Sequence, residues 1–201
     1  PENARASRSR TQLVLIWVLF LLPPVSAWVA WKYLGEQGAG ATTNAGTLVA
    51  PARPLQLVGL GKPDGTALGE GDLRGRGTYV LFAPRDCDER CEKRLYLTRQ
   101  IRIAIRKDIQ RLQRLLVRAQ PAPAALERRL AEEQPDLRWV VRDEQAGPLL
   151  QQFRGEGFGP TGEQYFLVDP LGNLMMYYDL GVSAKGMMRD LQKLLKISQI
   201  G

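Results

Sequence analysis

Cys87 and Cys91 are the only cysteines in the 201-residue chain, and it contains no histidine. Two side chains four residues apart stand one above the other on a helix face. There they can form a disulfide or share a metal ion as thiolates. A helix N-terminus also carries unpaired N–H groups and partial positive charge, which stabilise a thiolate. The pair follows an apolar run, Thr78–Ala83, and a break at Pro84-Arg85-Asp86. From Cys87 onward the pattern is helical, with Cys91, Leu95, Ile101 and Ile105 at inward spacings. Cys87 lies nearer the helix start and is the expected attacking thiol. Arg85, Arg90 and Lys93 favour its thiolate, and Asp86, Asp88, Glu89 and Glu92 oppose it. A quiet structural disulfide is the bland alternative.

Lack of histidine removes Ser-His and Cys-His catalysis, Cys2His2 zinc sites and haem ligation by imidazole. Two cysteines this close cannot staple distant segments, so the chain is not a disulfide scaffold. A net charge of +7 favours acidic partners or anionic headgroups. Much of it lies between Arg94 and Arg118, where eight basic residues face Asp108 alone. No nucleic-acid-binding signature is present, so nucleic acid is not an expected partner.

The elements that must position the cysteines follow from periodicity and turn chemistry. Leu55–Leu60 reads as a strand before the turn Gly61-Lys62-Pro63-Asp64-Gly65. Thr78–Ala83 reads as a buried central strand. Strands are also expected at Leu112–Val117, Trp139–Val141, Gln164–Val168 and Leu174–Tyr178, the last two joined by the turn Asp169–Asn173. Helices are expected from Cys87, over Ala124–Glu133, over Ala146–Phe153 and over Ser183–Ile197, with Ser183 as a cap. The order β-β-α-β-α-β-α-β-β-α implies an α/β domain with a mainly parallel sheet, helices on both faces and hairpins at each end. That is the ground plan of a thioredoxin-like domain. Pro160 stands where such domains place a cis-proline opposite the cysteines, although an ordinary turn proline reads equally well.

Residues 13–34 read as a transmembrane helix, with about 19 residues free of charge from Leu13 to Trp31. Arg5, Arg8 and Arg10 precede it, so the tail 1–12 is expected in the cytoplasm and the rest outside. Val25-Ser26-Ala27 offers a signal-peptide cleavage position as the alternative. Residues 35–54, rich in Gly, Ala and Thr, read as a flexible linker, leaving 55–201 as the domain.

The chain resembles the Sco family, thioredoxin-like copper chaperones and thiol reductases of cytochrome c oxidase assembly. The carrying residues are Gly65, Asp72-Leu73-Arg74-Gly75, Tyr79–Phe82, Cys87-x3-Cys91 and Tyr165–Gly172. The resemblance implies an inner-membrane protein with its domain on the periplasmic side, whose partner is a respiratory oxidase subunit or another assembly factor. It implies thiol-disulfide or copper chemistry at Cys87 and Cys91. Two departures matter. Glu92 stands where the family has proline, and the family's metal-binding histidine is missing, its nearest position being about Thr161. The family's copper(II) site therefore cannot form, whereas two thiolates still suit copper(I). Met175, Met176, Met187 and Met188 are candidate thioether donors or core residues. A non-catalytic thioredoxin-fold membrane partner is the competing reading.

Overall fold

The computed structural model describes residues 15–30, 32, 43–83 and 87–197. They divide into two units at Thr43 and Asn44. In the first unit, 15–30 and 32 are helical and the apolar side chains, among them Trp17, Leu19 and Phe20, are exposed. The Lys32 ammonium lies 5.1 Å over the Trp28 ring. No helix of the described residues is long and apolar enough to cross a membrane. Of the expected span, residues 13, 14, 31, 33 and 34 lie outside the described residues, as do 1–12 and 35–42.

The second unit is built on strands β1 (Thr47–Pro54), β2 (Leu60–Gly61), β3 (Gly77–Ala83), β4 (Leu112–Arg118), β5 (Leu137–Arg142), β6 (Gln164–Val168) and β7 (Asn173–Asp179). Helices α1 (Glu89–Ala104), α2 (Ala124–Glu133), α3 (Gly147–Gln152) and α4 (Ala184–Ile197) connect and close it. The strands form one sheet in the order β1-β7-β6-β3-β4-β5-β2.

This sheet is mixed, which corrects the mainly parallel expectation. Only β3–β4 and β4–β5 are parallel, each joined by a crossover helix. The pairs β3–β6, β6–β7, β1–β7 and β2–β5 are antiparallel. Helix α3 has six residues, about 9 Å of rise. It is too short to return the chain along a seven-residue strand of about 23 Å. Strand β6 therefore starts beside the C-terminal end of β3 and runs back.

The N-terminal hairpin is also corrected. The expected partners Leu55–Leu60 and Thr78–Ala83 do not pair: Leu60–Gly61 joins β5 at one edge, β3 lies between β6 and β4, and β1 takes the opposite edge. Residues 47–54 form β1 rather than linker, and only Leu60–Gly61 of the expected first strand pairs. Pro51 and Pro54 lack a backbone N–H, so β1 is confined to an edge, where half its polar groups need no partner. Its pairing with β7 is irregular between Leu48 and Arg53.

The strand period of two divides the core between the two faces of the sheet. Tyr79, Leu81 and Ala83 of β3 pack with Cys91, Leu95 and Ile101 of α1, Leu130 of α2, and Met187 and Leu191 of α4. Val80 and Phe82 pack on the other face with Leu149 of α3, Phe153, and Leu60, Leu68 and Leu73. All seven residues of β3 are buried, which makes it the rigid rail that delivers the chain to Cys87. Helix α4 starts as expected, with the Gly186 N–H donating to Ser183 Oγ at 3.1 Å. The β6–β7 turn is locked by Asp169, whose Oδ1 accepts the N–H groups of Leu171 and Asn173.

Candidate redox site

Residues 84–86, between β3 and Cys87, lie outside the described residues. Helix α1 starts at Glu89, two residues later than the periodicity implies. Asp88 is its N-cap, with extended backbone and a carboxylate that accepts the Cys91 N–H at 2.9 Å. This is ordinary capping chemistry, in which a short acid satisfies an orphan donor of the first turn. It places Cys91 in that first turn and Cys87 just before it. The two sulfurs are joined in a disulfide, with Cα atoms 5.1 Å apart. Cys91 is 2% exposed and Cys87 8%, so Cys87 is the more accessible half of the bond.

The charges around the pair are mostly engaged with one another. Glu89 binds Lys93 at 2.7 Å, Glu92 binds Arg129 at 2.6 Å, and Arg90 stands 3.9 Å from Glu163. Asp88 occupies the N–H group that a thiolate at the helix tip would otherwise use. Sequence reasoning treated these acids as a uniform opposing charge and missed the cap; the signal was an Asp three residues before an apolar helical run.

Sequence reasoning also passed over Arg94 as one member of a basic run. Its side chain is buried, 2% exposed, three residues beyond Cys91 on the same helix. Nη2 donates to the carbonyl of Phe82, near the end of β3, at 3.0 Å. Burial works against its charge, and the neighbouring Tyr165, Asp88 and Glu163 support it. Burial likewise pushes the Tyr165 phenol up, and the Arg94 charge pulls it back.

The loop bearing Pro160 does approach the site, since Glu163 faces Arg90 on α1. Pro160 itself follows a trans peptide, because the only cis bond among the described residues is Ala50–Pro51. The expected cis-proline is therefore absent at Pro160. Aromatic packing holds the loop. Phe158 stacks on Tyr177 at 4.7 Å, and Phe153 meets Phe82 and Phe166 edge-on at 5.0 Å each. Gly155 suits that position, since a Cβ there would run into the Phe158 ring. Beside the loop, an open groove of about 600 Å³ is lined by Phe158, Thr161, Glu163, Gln164, Asp179 and Leu180.

Once reduced, the pair offers two adjacent thiolates, a set that suits copper(I). No third donor joins them among the described residues. The chain has no histidine, and no group of three or more His, Cys, Asp or Glu among the described residues is placed to hold a metal ion. Met176 and Met187 are buried side chains of the same core cluster as the two cysteines. The residues present fit two-coordinate copper(I) and do not fit a three-donor copper(II) centre.

Solved structures share this fold. Bradyrhizobium japonicum ScoI with copper bound has 19% identity and a TM-score of 0.54, covering 72% of this chain and 99% of that one. The apo Sco1 protein of Thermus thermophilus has 20% identity and a TM-score of 0.59, covering 77% and 99%. BsSco is described as carrying a disulfide switch and as a member of the Sco family of cytochrome c oxidase assembly proteins. It has 12% identity and a TM-score of 0.53, covering 74% and 96%. The Sco resemblance read in the motifs is thus met by the fold. No curated protein matches the chain. A family profile matches over residues 78–198, from β3 to the end of α4. Spanning the cysteine pair and most of the sheet that carries it, that match makes this chain a member of the family described as transmembrane-like, thioredoxin-like, C-terminal domain.

Proposed function

We propose that this chain is a membrane-anchored, Sco-like factor in cytochrome c oxidase assembly that works through thiol–disulfide exchange at Cys87 and Cys91. The observation that carries the reading is one disulfide joining the N-cap region and first turn of α1, at the C-terminal end of a fully buried strand. In the reduced state, Cys87 attacks a disulfide formed by copper-ligand cysteines on an oxidase subunit. Two electrons and two protons pass to the client, and the Cys87–Cys91 bond re-forms. Residues 13–34 hold the protein in the inner membrane, with the domain on the periplasmic side. The exposed apolar side chains of 15–30 support this placement.

Copper(I) carriage by the same two thiolates is a second reading. Copper bound in the similar Bradyrhizobium protein favours it. The near-complete burial of both cysteines favours a third reading, a non-catalytic membrane partner with a structural bond.

One experiment separates the three. The double variant Cys87→Ser/Cys91→Ser is tested for support of oxidase assembly, beside the copper(I) affinity of the reduced wild type. Lost assembly with weak copper binding supports exchange, and lost assembly with tight binding supports carriage. Normal assembly by the double variant sinks both.

A further inference from the structure

We infer that Arg94 is the built-in counter-charge for the anionic sulfur that appears when the Cys87–Cys91 disulfide opens. The inference rests on the redox reading above. A buried charge is costly unless it is paired and fully hydrogen-bonded. Arg94 meets neither condition in the oxidised protein. Phe82 O takes one N–H, while Nε and Nη1 are buried without a hydrogen-bond partner. It forms no ion pair among the described residues.

The fold satisfies a comparable guanidinium elsewhere. Arg114, on β4 and equally buried, binds Asp136 at 3.0 Å, Gln134 at 2.8 Å and Leu95 O at 2.7 Å. Arg94, by contrast, keeps two donors open. Arg94 lies three residues from Cys91 within α1, a spacing that shares one helix face, and the disulfide ties Cys91 to Cys87. Other charges reach this region from each packed element. Asp88 comes from the cap and Glu163 from the adjoining loop, and Tyr165 from β6 is ionisable. Arg118, at the register of Ala83 on β4, adds a second buried cation held by Gln120 O. The acids assist Arg94 from a distance and leave its donors open.

The disulfide is neutral, so it leaves the buried cation uncompensated. Two thiols of glutathione give two electrons and two protons to the pair and depart as glutathione disulfide. When one released sulfur loses its proton to solvent, the anion it becomes faces Arg94. Arg94 thus penalises the oxidised state and supports the reduced one, which suits a reductant that is regenerated and not a permanent staple.

The test equilibrates the 201-residue chain in detergent with glutathione buffers at pH 7. Reduced fraction is read by alkylation and mass. Arg94→Met is expected to lower the reduction equilibrium constant about tenfold, or about 30 mV. Arg94→Lys, which keeps the charge, is expected to stay within about threefold of wild type. A purely structural Arg94 predicts no change in the equilibrium for Arg94→Met, and that result overturns the inference. So does Arg94→Lys falling as far as Arg94→Met. If the Met variant does not fold, Arg94→Gln is read against the same tenfold expectation, and a tenfold fall in Arg94→Lys alone also overturns it. A wild-type pair that stays oxidised in excess dithiothreitol removes the redox reading itself, an outcome visible before any variant is made.

Discussion

The Asp88 carboxylate accepts the backbone N–H of Cys91 at 2.9 Å, so the residue that starts the helix also sets a negative charge between the two sulfurs in sequence. Capping and thiolate stabilisation compete here for the same end of the helix dipole. Asp88→Asn keeps an accepting oxygen and removes the charge. It should favour the dithiol about two- to fivefold in glutathione buffers, the range that a unit charge at a helix terminus commands. Asp88→Ala removes the cap as well and should cost about 1 kcal/mol in urea unfolding.

Accessibility distinguishes the two cysteines. Cys87 is 8% exposed against 2% for Cys91, and only an accessible thiolate can attack a partner. Cys91→Ser should therefore trap a stable mixed disulfide with oxidised glutathione at Cys87, seen as an added glutathione mass. Cys87→Ser should trap at least about tenfold more slowly. Equal trapping by both variants would argue against Cys87 as the attacking thiol.

Asp72 ties the segment before β3 to β5. Its carboxylate accepts the Gly69 N–H at 2.8 Å and binds Lys62 at 3.0 Å and Arg138 at 2.5 Å. Burial alone would raise its pKa, but these donors prevail and bring it to about 2. The folded value lies below the unfolded one of about 3.9. The stabilisation is therefore complete above about pH 4 and fades as pH falls from 4 towards 2. Asp72→Asn should lower the urea midpoint at pH 7 and flatten its decline between pH 4 and 2. An unchanged acid limb would show that Asp72 contributes nothing there.

The start of the domain is held by one buried carboxylate. Asp190 of α4, 1% exposed, accepts the N–H groups of Ala45 and Gly46 at 2.7 and 2.9 Å. A Cβ on Gly46 would lie 2.5 Å from the Tyr178 ring. Asp190→Ala strands two donors and should cost about 2–3 kcal/mol. It should also speed limited proteolysis within 43–54 well before global unfolding. Gly46→Val should act likewise through steric exclusion, and protection equal to wild type in both would show that this contact is dispensable.

How much of this was legible depends on the range of the forces involved. β3, α1, α2, α4 and the β6–β7 hairpin were readable because apolar period and turn residues are local signals. The Asp169 turn and the Ser183 cap are satisfied within four residues of themselves, and both appear as expected. β1 was not readable. Its partner β7 lies more than a hundred residues away, and its alanines and prolines mimic a linker. The trans peptide at Pro160 is likewise a tertiary matter, because loop packing rather than the residue itself selects the isomer.

By itself the sequence determined that Cys87 and Cys91 are the only thiols, four residues apart, and that no imidazole can assist them. Tertiary structure decided the rest. It turned a nominal parallel sheet into a mixed one, because a six-residue helix cannot return the chain. It buried Arg94 of the cysteine-bearing helix against the Phe82 carbonyl of β3 with two donors open, because packing rather than sequence spacing decides which guanidinium leaves water.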